Sequence, residues 1–201
     1  MESVDWDERY KGNPDMRPWD TGLPDPFLVE CLQSLESLPK RALEIGCGTG
    51  TNALWMAQNG IDVVATDISD TAIRAAQGRE QKQATKASFV VEDICERLPV
   101  KRGSVEFVFD RGVFHVMPAD KRPVFVQHVA ESLADRGFWF CLAGSADETK
   151  PADKGPPRLR ASALIESVEE WFEVYELERA YFELPDQSRY LAWALLLRKR
   201  I

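Results

Sequence analysis

Five short apolar runs punctuate the 201-residue chain: RALEI (41–45), DVVATD (62–67), SFVVED (88–93), VEFVFD (105–110) and FWFCLAG (138–144). They are rich in Val, Phe and Ile, and several close on an acid. Strands covered by helices on both faces read this way, because neither face needs polar side chains. The segments between them carry helical spacing. Ser69 is placed to cap a helix that turns Ile73 and Ala76 inward. Phe125, Val129 and Leu133 recur every four residues ahead of DRG (135–137), and Leu28, Leu32, Leu35 and Leu38 form a stripe before the first strand. Strands alternating with helices predict an α/β protein with a parallel sheet.

The C-terminal region breaks this rhythm. WFEVYELERAYFEL (171–184) alternates apolar and polar residues, PDQS offers a turn, and RYLAWALLLRKR (189–200) is a second apolar run. Two strands joined by so short a turn are antiparallel. The expectation is a Rossmann-like, seven-stranded, mostly parallel sheet with a C-terminal antiparallel hairpin, helices on both faces, and one domain spanning 1–201. Two stretches lie outside this scheme. WDERYKGNPDMRPWDTGLPDP (6–26) and SADETKPADKGPPRL (145–159) are loop-like and rich in Pro and Gly.

Composition narrows the function classes. Hydrophobic residues make up 44% and charged residues 29%, as in ordinary globular proteins. A net charge of −8 with scattered Lys and Arg argues against nucleic acid as a partner. Cys31, Cys47, Cys95 and Cys141 are too widely spaced to suggest a metal site or redox pair. No run approaches a membrane span, and the polar, acidic MESVDWDERY start is unlike a signal peptide. The expectation is a cytoplasmic protein with no membrane partner; a monomer is compatible, but the oligomeric state is not fixed.

The candidate chemistry sits in EIGCGTGTNALWMAQNGIDVVATDIS, from Glu44 to Ser69. Gly46, Gly48 and Gly50 spell GxGxG between a strand and a helix. The dinucleotide fingerprint needs its third glycine one place later, where Thr51 stands. Glycines here let a ligand approach the backbone, and the amides at Thr49 to Thr51 can bind a carboxylate. Glu44, Gly46, Cys47, Gly48 and Gly50 are therefore cofactor-binding candidates. Asp67 ends the second strand, where a carboxylate can accept ribose hydroxyls. Asp93 ends the third and can accept from an adenine amine, with Ile94 and Ile68 as apolar faces for the ring. Together these point to S-adenosylmethionine (SAM), at the carboxyl edge where open α/β sheets bind ligands. The five-plus-two strand pattern resembles the class I SAM-dependent methyltransferases.

DRGVFHVMPADKR (110–122) and PWDTG (18–22) resemble the thiopurine S-methyltransferase family, with its thiol and halide methyltransferase relatives. The core likeness covers roughly 40–145. It implies that the N-terminal segment (1–38) caps the cofactor, with Trp19 and Asp20 lining the site and Trp6 assisting. It also implies that Arg111 lies near cofactor and substrate, and that Gly46, Asp67, Asp93 and Ile94 hold cofactor positions. The GxGxG turn is more glycine-rich than in thiopurine methyltransferase itself, and the chain is shorter.

A thiol acceptor needs little base catalysis, since part of it is already thiolate at neutral pH. His115, five residues past the fourth strand, is a candidate proton acceptor or substrate-orienting group; alternatively it is satisfied within the strand–helix junction. Arg111 is a candidate to orient an anionic substrate or the SAM carboxylate; the bland alternative pairs it with an acid such as Asp93. His128 and Cys141 read as structural, and the 145–160 loop reads as a substrate-side wall or a plain linker. The leading expectation is methyl transfer to a small-molecule acceptor, foremost a thiol or other soft nucleophile. N-, O- or protein-lysine methylation and a non-catalytic SAM-binding module stay open. An NAD oxidoreductase is disfavoured, and no [DN]PP[YF] tetrad suggests nucleic-acid base methylation.

Overall fold

The computed structural model describes residues 4–13, 17–83, 85–151, 155–184 and 186–201. Two helices precede the sheet, α1 (Trp6–Lys11) and α2 (Pro26–Ser34). Then follow β1 (Arg41–Ile45), α3 (Thr51–Gln58), β2 (Asp62–Asp67), α4 (Asp70–Gln83), β3 (Ala87–Val91), β4 (Val105–Arg111), α5 (Val113–Val116), α6 (Arg122–Ser132), β5 (Leu133–Gly144), α7 (Ala161–Val168), β6 (Phe172–Glu183) and β7 (Arg189–Lys199). The seven strands form one sheet in the order β3-β2-β1-β4-β5-β7-β6. β1 to β5 pair in parallel, whereas β7 runs antiparallel to both β5 and β6. The expected seven-stranded architecture is observed.

Each face of the sheet has its own core. One holds Leu28, Met56, Ile61, Val63, Phe107 and Phe109; the other holds Leu43, Val108, Phe114, Phe125, Trp139 and Phe172. Along β4, Phe107 and Phe109 enter one core and Val108 the other, which explains the unbroken apolar run at 107–109. Trp139 is fully buried, and its indole N–H donates to Asp110 Oδ2 at 2.9 Å. Asp110 Oδ1 accepts the Val113 and Phe114 amides, so one buried carboxylate fixes the turn after β4 to β5. Burial raises its pKa to about 6.

Three boundaries differ from the sequence reading. β5 begins at Leu133, which was expected to continue a helix; its backbone is extended, with φ −76° and ψ 137°. Pairing with β4 jumps from Val105↔Leu133 to Phe107↔Phe138, so the intervening residues bulge and Arg136 takes φ 60°. β3 ends at Val91, which leaves Asp93 in the following turn. The Leu stripe before β1 is helical only through Ser34; Leu28 and Leu32 are buried, but Leu38 is exposed.

Candidate functional site

The strand order reverses between β1 and β4, and this switch opens a crevice at their carboxyl ends. The Gly46–Gly50 turn lies there. Gly48 has φ 54°, and a Cβ on it would meet the Tyr10 hydroxyl at 2.5 Å. Gly50 caps α3 in the left-handed region, φ 83°, with the Phe89 ring 2.7 Å from where a Cβ would stand. Both positions therefore exclude a side chain by space and by conformation.

The N-terminal segment closes over this turn through polar contacts. Asp7 Oδ1 accepts the Ser69 hydroxyl (2.8 Å) and the Thr71 amide (2.9 Å), tying α1 to the start of α4. The Thr71 amide first, then Lys11 and Ser69, hold the Asp7 carboxyl well below its usual range. Tyr10 is buried and accepts the Trp19 indole N–H at 3.2 Å. Burial and the nearby Asp67 charge push its phenol pKa up. The Asp20 carboxylate accepts the Thr49 hydroxyl (3.0 Å), and Arg79 donates to Thr49 Oγ1 (2.8 Å) and Thr51 Oγ1 (3.0 Å). Asp25 caps α2 by accepting the Phe27 amide, while its own amide donates to Asn52 Oδ1.

Between this segment and the turn lies a cavity of about 550 Å³. Its floor includes Glu44, Gly46, Cys47 and Gly48; Tyr10, Trp19 and Asp25 stand opposite, with Arg111 at the end of β4 and Glu183 and Leu184 at the end of β6. Glu44 is 2% exposed. Its Oε1 accepts from Asn52 Nδ2 at 3.2 Å, and its Oε2 is buried without a hydrogen-bond partner. Burial raises its pKa to about 8, against the opposing effects of Asn52, Ala53 and Arg111. A buried carboxylate oxygen left unpaired beside a cavity is suited to a cationic ligand group.

Arg111 also faces the cavity, but its partner is not Asp93. Its Nε donates to Asp25 Oδ2 at 2.6 Å, and its guanidinium lies 4.9 Å from the Phe182 ring centre. His115 is absent from the cavity lining. It is 7% exposed, lies edge-on to Phe182, and its Nδ1 accepts the Gly144 amide at 2.8 Å. Burial, then the Arg111 and Arg122 charges, lowers its pKa to about 3. It is therefore neutral, with Nε2 as the protonated nitrogen, which corrects its expected role as a proton acceptor.

Asp67, Ile68, Asp93 and Ile94 lie outside the cavity lining. Asp67 Oδ2 accepts the Gly48 amide and Oδ1 the Ser69 amide, each at 2.9 Å, so the acid is coupled directly to the glycine turn. Burial raises its pKa, while these backbone bonds oppose the rise. Ile68 is 52% exposed beside it, whereas Ile94 is buried in the core with Leu43 and Phe125. Asp93 Oδ1 accepts the Cys95 amide at 2.8 Å. None of the described residues of 145–160 lines the cavity. Instead, Glu148 accepts the Leu191 amide of β7, and within the loop Arg158 donates to the Lys150 carbonyl. Tyr10, Asp25, Glu183 and Leu184 were missed by sequence reasoning. Tyr10 had one available signal, four residues after Trp6 on a short capped helix; the others gave none.

The model of the thiopurine S-methyltransferase family matches residues 1–196. The chain belongs to that family. It is a SAM-dependent methyltransferase, and the cofactor inferred from the turn and strand-end acids is the family's own. Its relatives include 2-heptyl-1-hydroxyquinolin-4(1H)-one methyltransferase of Mycobacteroides abscessus, 26% identical over 81% of this chain and 71% of that protein. Thiocyanate methyltransferase 1 of Brassica oleracea is 30% identical over 84% of this chain and 72% of its own. A solved structure described as "Conversion of a Disulfide Bond into a Thioacetal Group during Echinomycin Biosynthesis" superposes with a TM-score of 0.84 at 22% identity, covering 96% of this chain and 90% of that one. Among the described residues, no helix is long and apolar enough to cross a membrane.

Proposed function

We propose that this family member methylates a small-molecule soft nucleophile, foremost a thiol, inside the cavity between the glycine turn and the N-terminal segment. The observation that carries the reading is the unpaired, buried Glu44 oxygen on the cavity floor, beside a turn whose glycines leave room for a ligand. Glu44 takes the cofactor's ammonium, and Arg111 with the amides of Thr49 and Thr51 takes its carboxylate. Asp67 and the exposed Ile68 receive ribose and adenine, with Asp93 at that end, whereas Ile94, buried in the core, stands behind it. When bound, SAM supplies a methyl group on a sulfonium, which an acceptor lone pair displaces in line.

The protein's own part is positioning and exclusion of water. The described residues of 1–38 act as a cap: Trp19 and Tyr10 shield the cavity, and Asp7 and Asp20 hold the cap to α4 and to the turn. His115 is a positioning residue, accepting the Gly144 amide and bracing Phe182 beneath Arg111. A soft acceptor fits this site because no base faces the cavity with a free basic nitrogen among the described residues. Calorimetric titration with S-adenosylhomocysteine tests the cofactor assignments: binding is expected, with a loss of at least tenfold in Asp67→Ala. Unchanged affinity in that variant overturns the ribose assignment. Methyl uptake from SAM by benzyl mercaptan, but not by benzyl alcohol or aniline, is the expected acceptor pattern.

A further inference from the structure

A second cavity, of about 220 Å³, lies between α2 and the β5–β7–β6 end of the sheet and shares no lining residue with the cofactor cavity. Its floor is apolar. Phe140 of β5 stands opposite Leu196 of β7, with Ala194 two residues along that strand. Phe27 and Cys31 of α2 line it as well; Cys31 is 8% exposed, and its thiol makes no hydrogen bond among the described residues. The rim on β6 breaks that strand's pattern. Ala180 and Phe182 enter the core that holds Leu28, and by the two-residue period of a strand Glu178 and Glu176 continue the same face, paired with Ala194 and Leu196. Two acids thus stand where the alternation would place apolar residues, and Glu30 of α2 adds a third. All three are exposed, and none forms an ion pair among the described residues. No Lys or Arg is among the described residues lining the cavity.

We infer that this cavity is a second ligand site, for a small organic cation with an aromatic body, of the arylalkylammonium class. Three unmatched carboxylates around one opening repel one another, and a single positive charge entering there offsets that repulsion. The floor supplies what a bare metal ion could not use: apolar surface for a hydrocarbon body, with Phe27 and Phe140 as aromatic partners for its ring. Size sets the occupant. An apolar cavity of about 150 Å³ already holds benzene. The larger volume here admits one ring with a short aminoalkyl chain, and is too small for a folded polypeptide segment. None of these groups belongs to the cofactor cavity, so binding here does not depend on which acceptor is methylated.

The test is calorimetric titration at pH 7 and low ionic strength, with the protein saturated by S-adenosylhomocysteine so that the cofactor cavity is filled. The probe is 2-phenylethylamine, protonated at this pH. Three comparison compounds separate charge from body: 2-phenylethanol has the ring without the charge, phenylacetate carries the opposite charge, and ethylamine has the charge without the ring. The amine is expected to bind at least tenfold more tightly than each of them. The double variant Glu176→Gln, Glu178→Gln changes only exposed side chains; it is expected to weaken the amine about tenfold and to leave S-adenosylhomocysteine affinity unchanged. Ala194→Leu fills the floor of the cavity and is expected to abolish amine binding; should that variant fail to fold, the double variant decides. The inference is overturned if the amine binds no more tightly than the alcohol, or if either folded variant leaves its affinity unchanged. Binding of an acetylated Arg-containing hexapeptide in place of the amine would assign the acidic rim to a protein partner and overturn it equally.

Discussion

Glu44 makes the cofactor's affinity a function of pH. In the free protein burial holds its pKa at about 8, with Asp67 raising it further and Arg111 and Asn52 lowering it. An ammonium placed on Oε2 favours the ionised carboxylate, so binding below pH 8 requires Glu44 to release a proton. The apparent dissociation constant then rises by nearly tenfold for each pH unit below that value, or about 25-fold between pH 7.5 and pH 6. Glu44→Gln retains an oxygen for Asn52 but cannot ionise. Losing one charge-assisted bond of about 1.5–3 kcal/mol is expected to weaken binding roughly tenfold at pH 7.5 and to remove the slope. The assay is calorimetric titration with S-adenosylhomocysteine from pH 6 to 7.5, in phosphate and in Tris, because a released proton appears as a buffer-dependent heat. A wild-type affinity that stays within twofold across this range, or an identical slope in Glu44→Gln, would refute the reasoning. Stability of the free protein follows the same proton. Glu44 titrates near 4.5 when unfolded and about 8 when folded, so its contribution is fully present below pH 4.5 and lost as pH rises toward 8. Asp110, raised from 3.8 to about 6, acts in the same direction and completes its loss at lower pH.

Two further outcomes test the scaffold. Gly50→Ala places a methyl against the Phe89 ring in a left-handed conformation, and it is expected to lower the denaturation midpoint and weaken cofactor binding together, measured by urea unfolding and titration. Trp139→Ala empties the centre of the second core and strands Asp110, so chemical denaturation is expected to show a loss of about 3–5 kcal/mol; a loss under 1 kcal/mol would contradict the packing described.

Several site residues were legible because local chemistry marked them. Gly48 and Gly50 take backbone conformations that other residues adopt only with strain, and their spacing between a strand and a helix showed in the letters alone. Asp67 was readable for the same reason: a parallel strand must end at the sheet edge where ligands bind. His115 was misread. Its position placed it near the site, but only coordinates show Nδ1 committed to the Gly144 amide, 29 residues away. The 145–160 loop was equally ambiguous, since a polar, Pro-rich composition fits both a pocket wall and a segment laid against β7.

The sequence by itself determined the sheet, its order of elements, the antiparallel end and the nucleotide turn. These depend on periodicity, turn residues and strand-end acids, which are properties of neighbours along the chain. Tertiary structure alone decided the electrostatics of the cavity. It brought Asp25 to Arg111, 86 residues away, Tyr10 onto Gly48, and the end of β6 to the opposite wall, while leaving one Glu44 oxygen unpaired. Charge matching and desolvation depend on distances between groups remote in sequence, and no local pattern encodes them.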